Sequence, residues 1–382
     1  MNTKLINTIK DSFINKFLSE PVMIFSPGRI NIIGEHTDYN DGFVFPAAVN
    51  KGIVAAIQKS NSNKSSAFAV DKEETIEFSL SNIKPSKQGS WENYILGVVA
   101  EIQNRSKIIG NFNIAFGGDI PGGAGMSSSA ALENSVVYGL NEVFNLGLSK
   151  QEMILISQKA EHNYVGVKCG IMDQYASMYG IENNALLLDC RSVKSKPFVI
   201  NFKDYELILI NTNVKHSLSD SAYNDRRSVC ESIASLLSVK ALRDATEYDL
   251  EAIKDQVTPE NYQKALYVIQ ENDRAIQASK AMKLGDLKTL GQLIYASHDG
   301  LQNQYKVSCE ELDFLVTQAK LNGHVLGARM MGGGFGGCTI NLIEKTETES
   351  FKTFISEAYK KAFNKACSIY SVELSNGTHL IN

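Results

Sequence analysis

The stretch that most constrains this chain covers residues 26–49: Ser-Pro-Gly-Arg-Ile-Asn-Ile-Ile-Gly-Glu-His-Thr-Asp-Tyr-Asn, followed by an apolar run. Arg29, Glu35, His36 and Asp38 crowd a glycine-containing connection between two strand-like segments. Any fold must leave these groups in water or answer each with a partner, because burying them alone is costly. Glu35, His36 and Asp38 supply several acceptors and one switchable donor, a set suited to gripping a polyhydroxylated small molecule. Taken alone, the segment also reads as a solvated loop whose charges face water.

A second segment, residues 121–133, reads Pro-Gly-Gly-Ala-Gly-Met-Ser-Ser-Ser-Ala-Ala-Leu-Glu and leads into an apolar stripe of Leu132, Val136, Leu140 and Val143. Glycines let backbone approach a bulky anion, and the free N–H groups of a helix start point towards it. Serine hydroxyls there can cap the helix or coordinate a phosphate-bound metal. An ordinary glycine turn with a serine cap fits equally well. The Walker-type Gly-x-x-x-x-Gly-Lys-Ser/Thr pattern is missing, so phosphate charge would be met by the helix start, a metal and outside residues.

Asp173, in Cys-Gly-Ile-Met-Asp-Gln-Tyr over residues 169–175, stands among apolar neighbours where a lone carboxylate is expensive. Glu161 falls two turns after Ile154 on the apolar side of a helix whose start carries Ser149 and Glu152 at capping-box spacing. It either faces a site or forms a surface ion pair. Residues 332–337, Gly-Gly-Gly-Phe-Gly-Gly, formally match Gly-x-Gly-x-x-Gly. Too little chain follows for a doubly wound sheet, so a close backbone approach is the better reading.

At 382 residues the chain is long enough for two or three domains. Lys and Arg total 38 against 42 Asp and Glu, which gives no electrostatic reason to expect nucleic acid or an acidic membrane as partner. Lys4, Lys10, Asp11 and Lys16 interrupt the N-terminal apolar residues, so no signal-peptide core is expected. No apolar run approaches the ~18 residues that span a bilayer. The six cysteines are scattered without Cys-x-x-Cys, which reads as reduced thiols in the cytosol and makes a structural zinc site a poor fit.

Strand-like runs at 22–26, 43–49, 52–58, 66–70, 112–116 and 185–189 alternate with helices in the first half. Trp91, Tyr94, Ile95, Val98, Val99 and Ile102 trace an amphipathic helix over 91–105. Helical patterns dominate from the strand at 206–211 to about 321, which places a domain change near 200–215. In the tail, Cys338, Ile340 and Leu342 alternate through a strand. Thr346 and Glu349 then have capping-box spacing before a stripe from Phe351 to Phe363. Separated strand and helix blocks predict an α+β protein.

Together these segments resemble the galactokinases of the GHMP small-molecule kinase superfamily. The resemblance runs in order from Pro27 to Gly337. Gly-Glu-His-Thr-Asp-Tyr-Asn at 34–40 is similar to the galactokinase signature, residues 123–129 to the superfamily's nucleotide loop, and 332–337 to its C-terminal glycine motif. What this implies is a two-domain fold. An N-terminal GHMP kinase domain over 1–205 would carry a left-handed βαβ crossover, and a ferredoxin-like C-terminal domain would cover 206–382. The last strand would return to the first domain.

By the same resemblance, Glu35, His36, Thr37, Asp38, Gly170 and Tyr223 would hold the sugar. Gly123, Ala124, Gly125, Met126, Ser127, Ser128 and Ser129 would cradle the ATP phosphates, with Ser129 and Glu161 holding Mg²⁺. Asp173 would face the anomeric hydroxyl with Arg29 beside it, an arrangement favouring orientation and charge over strong proton acceptance. Trp91 and Tyr94 would lie near the adenine, although their spacing equally suits core packing. Met126, Met331 and Tyr267 depart from the family's usual residues and are expected to touch no catalytic group.

The implied reaction is ATP-dependent phosphorylation of the C1 hydroxyl of α-D-galactose, by a cytoplasmic monomer without nucleic-acid or membrane partners. An N-acetylgalactosamine kinase and a non-catalytic galactose sensor are the alternatives. Intact Ser129, Ala130, Ala131, Asp173 and Arg29 speak against the sensor.

Overall fold

The computed structural model describes residues 2–214 and 219–381. Its first strands are β1 (Val22–Asn31), β2 (Phe43–Val44), β3 (Pro46–Lys59), β4 (Ser65–Ala69), β5 (Glu74–Phe78) and β6 (Phe112–Gly118). Then come β7 (Asn184–Asp189), β8 (Lys194–Val199), β9 (Tyr205–Asn211), β10 (Val325–Met330), β11 (Cys338–Glu344), β12 (Ser368–Ser371) and β13 (His379–Leu380). The early helices are α1 (Thr3–Phe17), α2 (Glu92–Asn104), α3 (Ser128–Phe144), α4 (Lys150–Ala160) and α5 (Met172–Tyr179). The later ones are α6 (Ser219–Leu236), α7 (Glu247–Ala252), α8 (Pro259–Leu284), α9 (Leu287–Asn303), α10 (Glu310–Leu321) and α11 (Thr348–Phe363).

A six-stranded sheet of order β13-β1-β3-β6-β4-β5 anchors the first part of the chain. Period-two alternation divides its strands between two cores. Ile24, Ala55, Ile57, Ile114 and Phe116 face a core that includes α2, α3, α4 and α5, while Met23, Phe25, Val54 and Ala56 meet Ile9 and Phe13 of α1. The pattern of 3–17 gave no expectation of a helix, yet α1 forms because Ile9 and Phe13, one turn apart, find an apolar sheet face. The chain's final residues join this sheet: β13 pairs antiparallel with β1, opposing Leu380 to Ile24.

The second sheet has the order β10-β11-β9-β12, with every neighbour antiparallel. Read along the chain as β9, helices, β10, β11, α11, β12, it is a ferredoxin-like arrangement. Ile208, Ile210 and Ile343 face Leu315 of α10 and Phe351, Ile355 and Tyr359 of α11. Leu207, Leu209, Ile340 and Leu342 face the opposite way, towards Leu287, Leu290 and Ile294 of α9. The same core reaches Ile30, Ile32, Ile33 and Phe45, so the two parts share a hydrophobic interface directly behind residues 34–42.

The capping box at Ser149 and Glu152 is present. The one expected at Thr346 and Glu349 is not. A 3₁₀ turn occupies Lys345–Glu347, and Thr348 instead donates to Glu206 at 2.6 Å. Residues 332–337 join two antiparallel strands and open no helix, in keeping with a turn and not a dinucleotide fingerprint.

Candidate active site

Strand β1 delivers Arg29 to the end of the first sheet, and the chain then turns sharply at Gly34, whose φ is +96°. A Cβ there would stand 2.7 Å from the Phe43 carbonyl oxygen, so only glycine fits. His36 follows with φ +62°, a left-handed conformation that a side-chain-bearing residue keeps only when its surroundings hold it. They do. Asn40 donates to the His36 carbonyl at 3.0 Å, and Thr37 hydroxyl reaches the Gly34 and Phe43 carbonyls at 2.9 and 2.7 Å.

Helix α8 secures the loop from outside. Glu271 accepts from Gly34 N–H at 2.9 Å, Asn272 accepts from Phe43 N–H at 2.8 Å, and the Tyr267 hydroxyl donates to the Glu35 carbonyl at 3.0 Å.

Two adjoining cavities lie against this loop. The larger, about 460 Å³, is lined by Gly123, Gly125, Ser127, Ser129, Val214 and residues 331–337. The smaller, about 170 Å³, is lined by Glu35, His36, Asp38, Glu161, Cys169 and Met172. Arg29, Val167, Asp173, Tyr223, Gly332 and Gly333 line both. Asp173 therefore stands on the shared wall, taking hydrogen bonds from Arg29 Nε at 2.8 Å and Ser127 hydroxyl at 2.5 Å. Arg29 also donates to the Gly125 carbonyl, which ties the glycine turn to the same ion pair.

In the larger cavity two glycine-rich turns lie back to back. Gly123 and Gly125 have φ of +70° and +68°, and a Cβ on Gly125 would come 3.1 Å from the Met331 carbonyl. Helix α3 begins at Ser128, aiming its free N–H groups towards this space. Ser129 lines the cavity, while Ala124 and Met126 are buried beneath it.

In the smaller cavity, burial pushes the Glu35 carboxyl up, but Arg329, Arg29 and the Gly332 N–H outweigh it and hold it below the usual range. Glu35 accepts from Gly332 N–H at 2.9 Å and Arg329 Nη2 at 3.2 Å. Burial brings the His36 imidazole down to about 4, so it is neutral near pH 7. Burial, then the nearby Asp173 and Glu35, raises the Asp38 carboxyl to about 7.

Glu161 opens a π-helical turn, Glu161–Val165, a local widening frequent at functional sites. Its carboxylate accepts from Gln174 at 3.0 Å, and the same amide reaches Glu133 at 3.2 Å. Burial and then the neighbouring Glu161 push the Glu133 carboxyl well above the usual range.

Several expected residues line neither cavity, Ser128 in the first turn of α3 among them. Thr37 spends its hydroxyl on loop carbonyls and lines neither cavity. Trp91 lies in front of α2, donates to Glu74 at 2.7 Å and packs its ring on Phe116, also away from both cavities. Gly170 sits behind Asp38, where a Cβ would collide with the Asp38 carboxylate, and it lines neither of the two cavities. The departures also come closer than expected: Met126 carbonyl accepts from Arg29 N–H at 3.1 Å, and Tyr267 touches Glu35.

Arg329 was missed, although an arginine between Ala328 and Met330 in an apolar strand is itself a signal that a buried partner exists.

Three family models match the chain: the galactokinase galactose-binding signature over residues 11–59, the GHMP kinase N-terminal domain over 93–181 and the GHMP kinase C-terminal region over 278–361. A galactokinase of Thermotoga petrophila is 40% identical over 356 residues, 93% of this chain and 99% of the relative. The chain belongs to the galactokinase family. A second galactokinase, from Clostridium perfringens, is 39% identical over 97% of this chain and 98% of its own length. Among solved structures, Lactococcus lactis galactokinase complexed with galactose superposes with a TM-score of 0.94 at 32% identity, covering 98% of this chain and 99% of the other. The galactokinase signature thus spans the loop that α8 holds against the smaller cavity.

Proposed function

We propose that this chain transfers the γ-phosphoryl group of ATP to the C1 hydroxyl of α-D-galactose. The observation that carries the reading is Asp173 on the wall common to a small, carboxylate-lined cavity and a larger one built from two glycine turns and a helix start. Galactose would occupy the small cavity against Glu35, His36, Asp38 and Tyr223, and the triphosphate would lie along Gly123, Gly125, Ser127 and Ser129.

Phosphoryl transfer through a loose transition state asks chiefly for alignment and charge neutralisation. Asp173, fixed from two sides by Arg29 and Ser127, would orient the C1 hydroxyl and receive its proton late. Arg29 would offset negative charge on the phosphates. Ser129 and Glu161 fit a magnesium ion, being one hydroxyl and one carboxylate, each lining one of the adjoining cavities. A two-ligand set suits an ion that keeps waters and binds phosphate oxygens, and when bound it would neutralise charge on them. Among the described residues no group of three or more His, Cys, Asp or Glu forms a dedicated cage, which accords with that division.

Among the described residues no helix is long and apolar enough to cross a membrane, and the six cysteines are free thiols. We place the enzyme in the cytoplasm, where such thiols stay reduced.

A coupled ADP-release assay over galactose, N-acetylgalactosamine, arabinose and a glucuronate-type sugar tests the reading. Turnover with galactose far above the others is expected. Faster turnover with N-acetylgalactosamine, or none with any sugar, would overturn it.

A further inference from the structure

Beyond the sugar loop, two arginines cross between the two parts of the chain. Asp189 closes β7, directly opposite Phe43 of β2, and Arg191 follows in the next turn. Facing them, a 3₁₀ turn at Leu242–Asp244 presents Arg243 and Asp244. Arg191 forks onto the Asp244 carboxylate at 2.7 and 2.6 Å. Arg243 runs the other way and forks onto the Asp189 carboxylate. Both arginines also reach Asp41. Arg191 Nε donates to its carboxylate at 3.0 Å, and Arg243 donates to its carbonyl at 2.9 Å. None of these five residues lines either cavity of the site.

We propose that Arg191 and Arg243 are positioning residues for the sugar: their crossed ion pairs clasp residues 41–43 and thereby hold the turn that presents Asp38 to the small cavity. This rests on the reading of that cavity as the galactose site.

The clasp reaches Asp38 through a closed turn. Gly42 N–H donates to the Thr37 carbonyl at 2.9 Å, Asn40 N–H donates to the same oxygen at 3.0 Å, and Asp38 lies within. Cys190 N–H, beside Arg191, donates to the Gly42 carbonyl at 3.0 Å. Asp41 has φ +59°, a left-handed conformation disfavoured for most residues with a side chain. Arg243 also lays its guanidinium 4.2 Å from the centre of the Phe43 ring, a cation–π contact on the residue that leaves the loop.

Both bases of the clasp are firm. Asp189 accepts from the N–H groups of Arg191 and Ser192 at 3.1 and 3.4 Å, which fixes the turn carrying Arg191. Leu242 is fully buried in the core that holds Tyr267 and Val268 of α8, which fixes Arg243 and Asp244. A lone exposed ion pair contributes little, because water competes for both charges. Here each planar guanidinium serves two residues at once, and the five side chains are only 19% to 33% exposed. A lysine, with its single point charge, has no such fork.

Hydrogen exchange without sugar reads the clasp directly. In R191A and R243A the Asn40 and Gly42 amides should exchange about tenfold faster than in wild type, while those of α3 keep their rates. By calorimetry without ATP, the galactose Kd should rise about tenfold, because only molecules with the turn formed bind. The ATP KM should stay within about twofold, since the clasp is remote from the larger cavity. R191K and R243K should recover only part of the loss. D244A releases Arg191 from the second part alone, on an exposed turn, and keeps the test available where an arginine variant does not fold. Its galactose Kd should rise about threefold. Unchanged exchange at Asn40 and Gly42 in folded variants would overturn the proposal, as would faster exchange with a wild-type galactose Kd, or equal losses for galactose and ATP. Wild-type protein that binds no galactose counts against the site reading instead, because the exchange rates are measured without sugar.

Discussion

Asp38 shows what a buried polar group in a ligand cavity costs. Burial and the proximity of Asp173 and Glu35 raise its carboxyl to about 7, so the folded protein binds that proton more tightly than the unfolded chain does. Asp38's own contribution to folded stability is therefore fully present at low pH and is lost as pH rises from about 4 to about 7. Replacing Asp38→Asn removes the ionisation. Thermal unfolding without sugar should then show the variant more stable than wild type at pH 8, by up to about 4 kcal/mol, with the gap closing at pH 4. A gap independent of pH would contradict this origin.

Asp173 is the contrasting residue. Asp173→Asn keeps the shape but loses the charge that Arg29 and Ser127 hold. Its kcat should fall at least about 100-fold while calorimetry still detects galactose binding, and wild-type turnover would remove it from the reaction. At this scale much was legible. Arg29, Glu35, His36, Asp38 and Asp173 stood out because charges inside apolar or glycine-bearing runs demand partners. Thr37 did not reveal its part, since a hydroxyl serves a ligand and a neighbouring carbonyl equally well. Arg329 depends on a partner almost three hundred positions away.

Two elements carry most of the geometry, the turn at 122–126 and the turn at 331–337, and in both glycine is required by contact. At Gly334, φ is +85° and a Cβ would run into the Val307 carbonyl. Gly334→Ala should destabilise the protein by about 2–4 kcal/mol in denaturant titrations and weaken ATP more than galactose. An unaltered midpoint would show that the turn yields freely.

Strands and helices with clear periodicity, such as α2, α3 and β11, could be read from pattern. Strand β8, with an exposed polar face, and α1, whose apolar residues pay off only against a sheet, could not. At Thr346 the spacing suited a cap, but Glu206 from another strand takes Thr348 and shifts the helix start.

For the whole molecule, the decisive contact is α8 against the sugar loop. Glu271 is fully buried and accepts from Gly34 N–H, Ser297 hydroxyl at 2.6 Å and Arg274 at 2.6 Å. Glu271→Ala strands all three donors and should cost about 2–5 kcal/mol. It should also raise the galactose KM with little change in the ATP KM. Glu271→Gln, which keeps an acceptor for Gly34, should recover part of both. Equal losses for the two substrates would mean that α8 supports the fold without shaping the sugar grip. This long-range tie was invisible in the chain because nothing in the spacing of residues 34 and 271 links them.

Strand β13 carries a consequence for how the protein is made. The first sheet lacks one edge until Leu380 reaches Ile24, and the buried side of Glu35 lacks its guanidinium until Arg329 arrives. On the ribosome, then, Ile24 and Glu35 emerge long before the residues that complete their surroundings. A nascent polypeptide halted before residue 325 would hold its sugar loop without its counter-charge, and galactose would stabilise only chains that extend beyond Arg329.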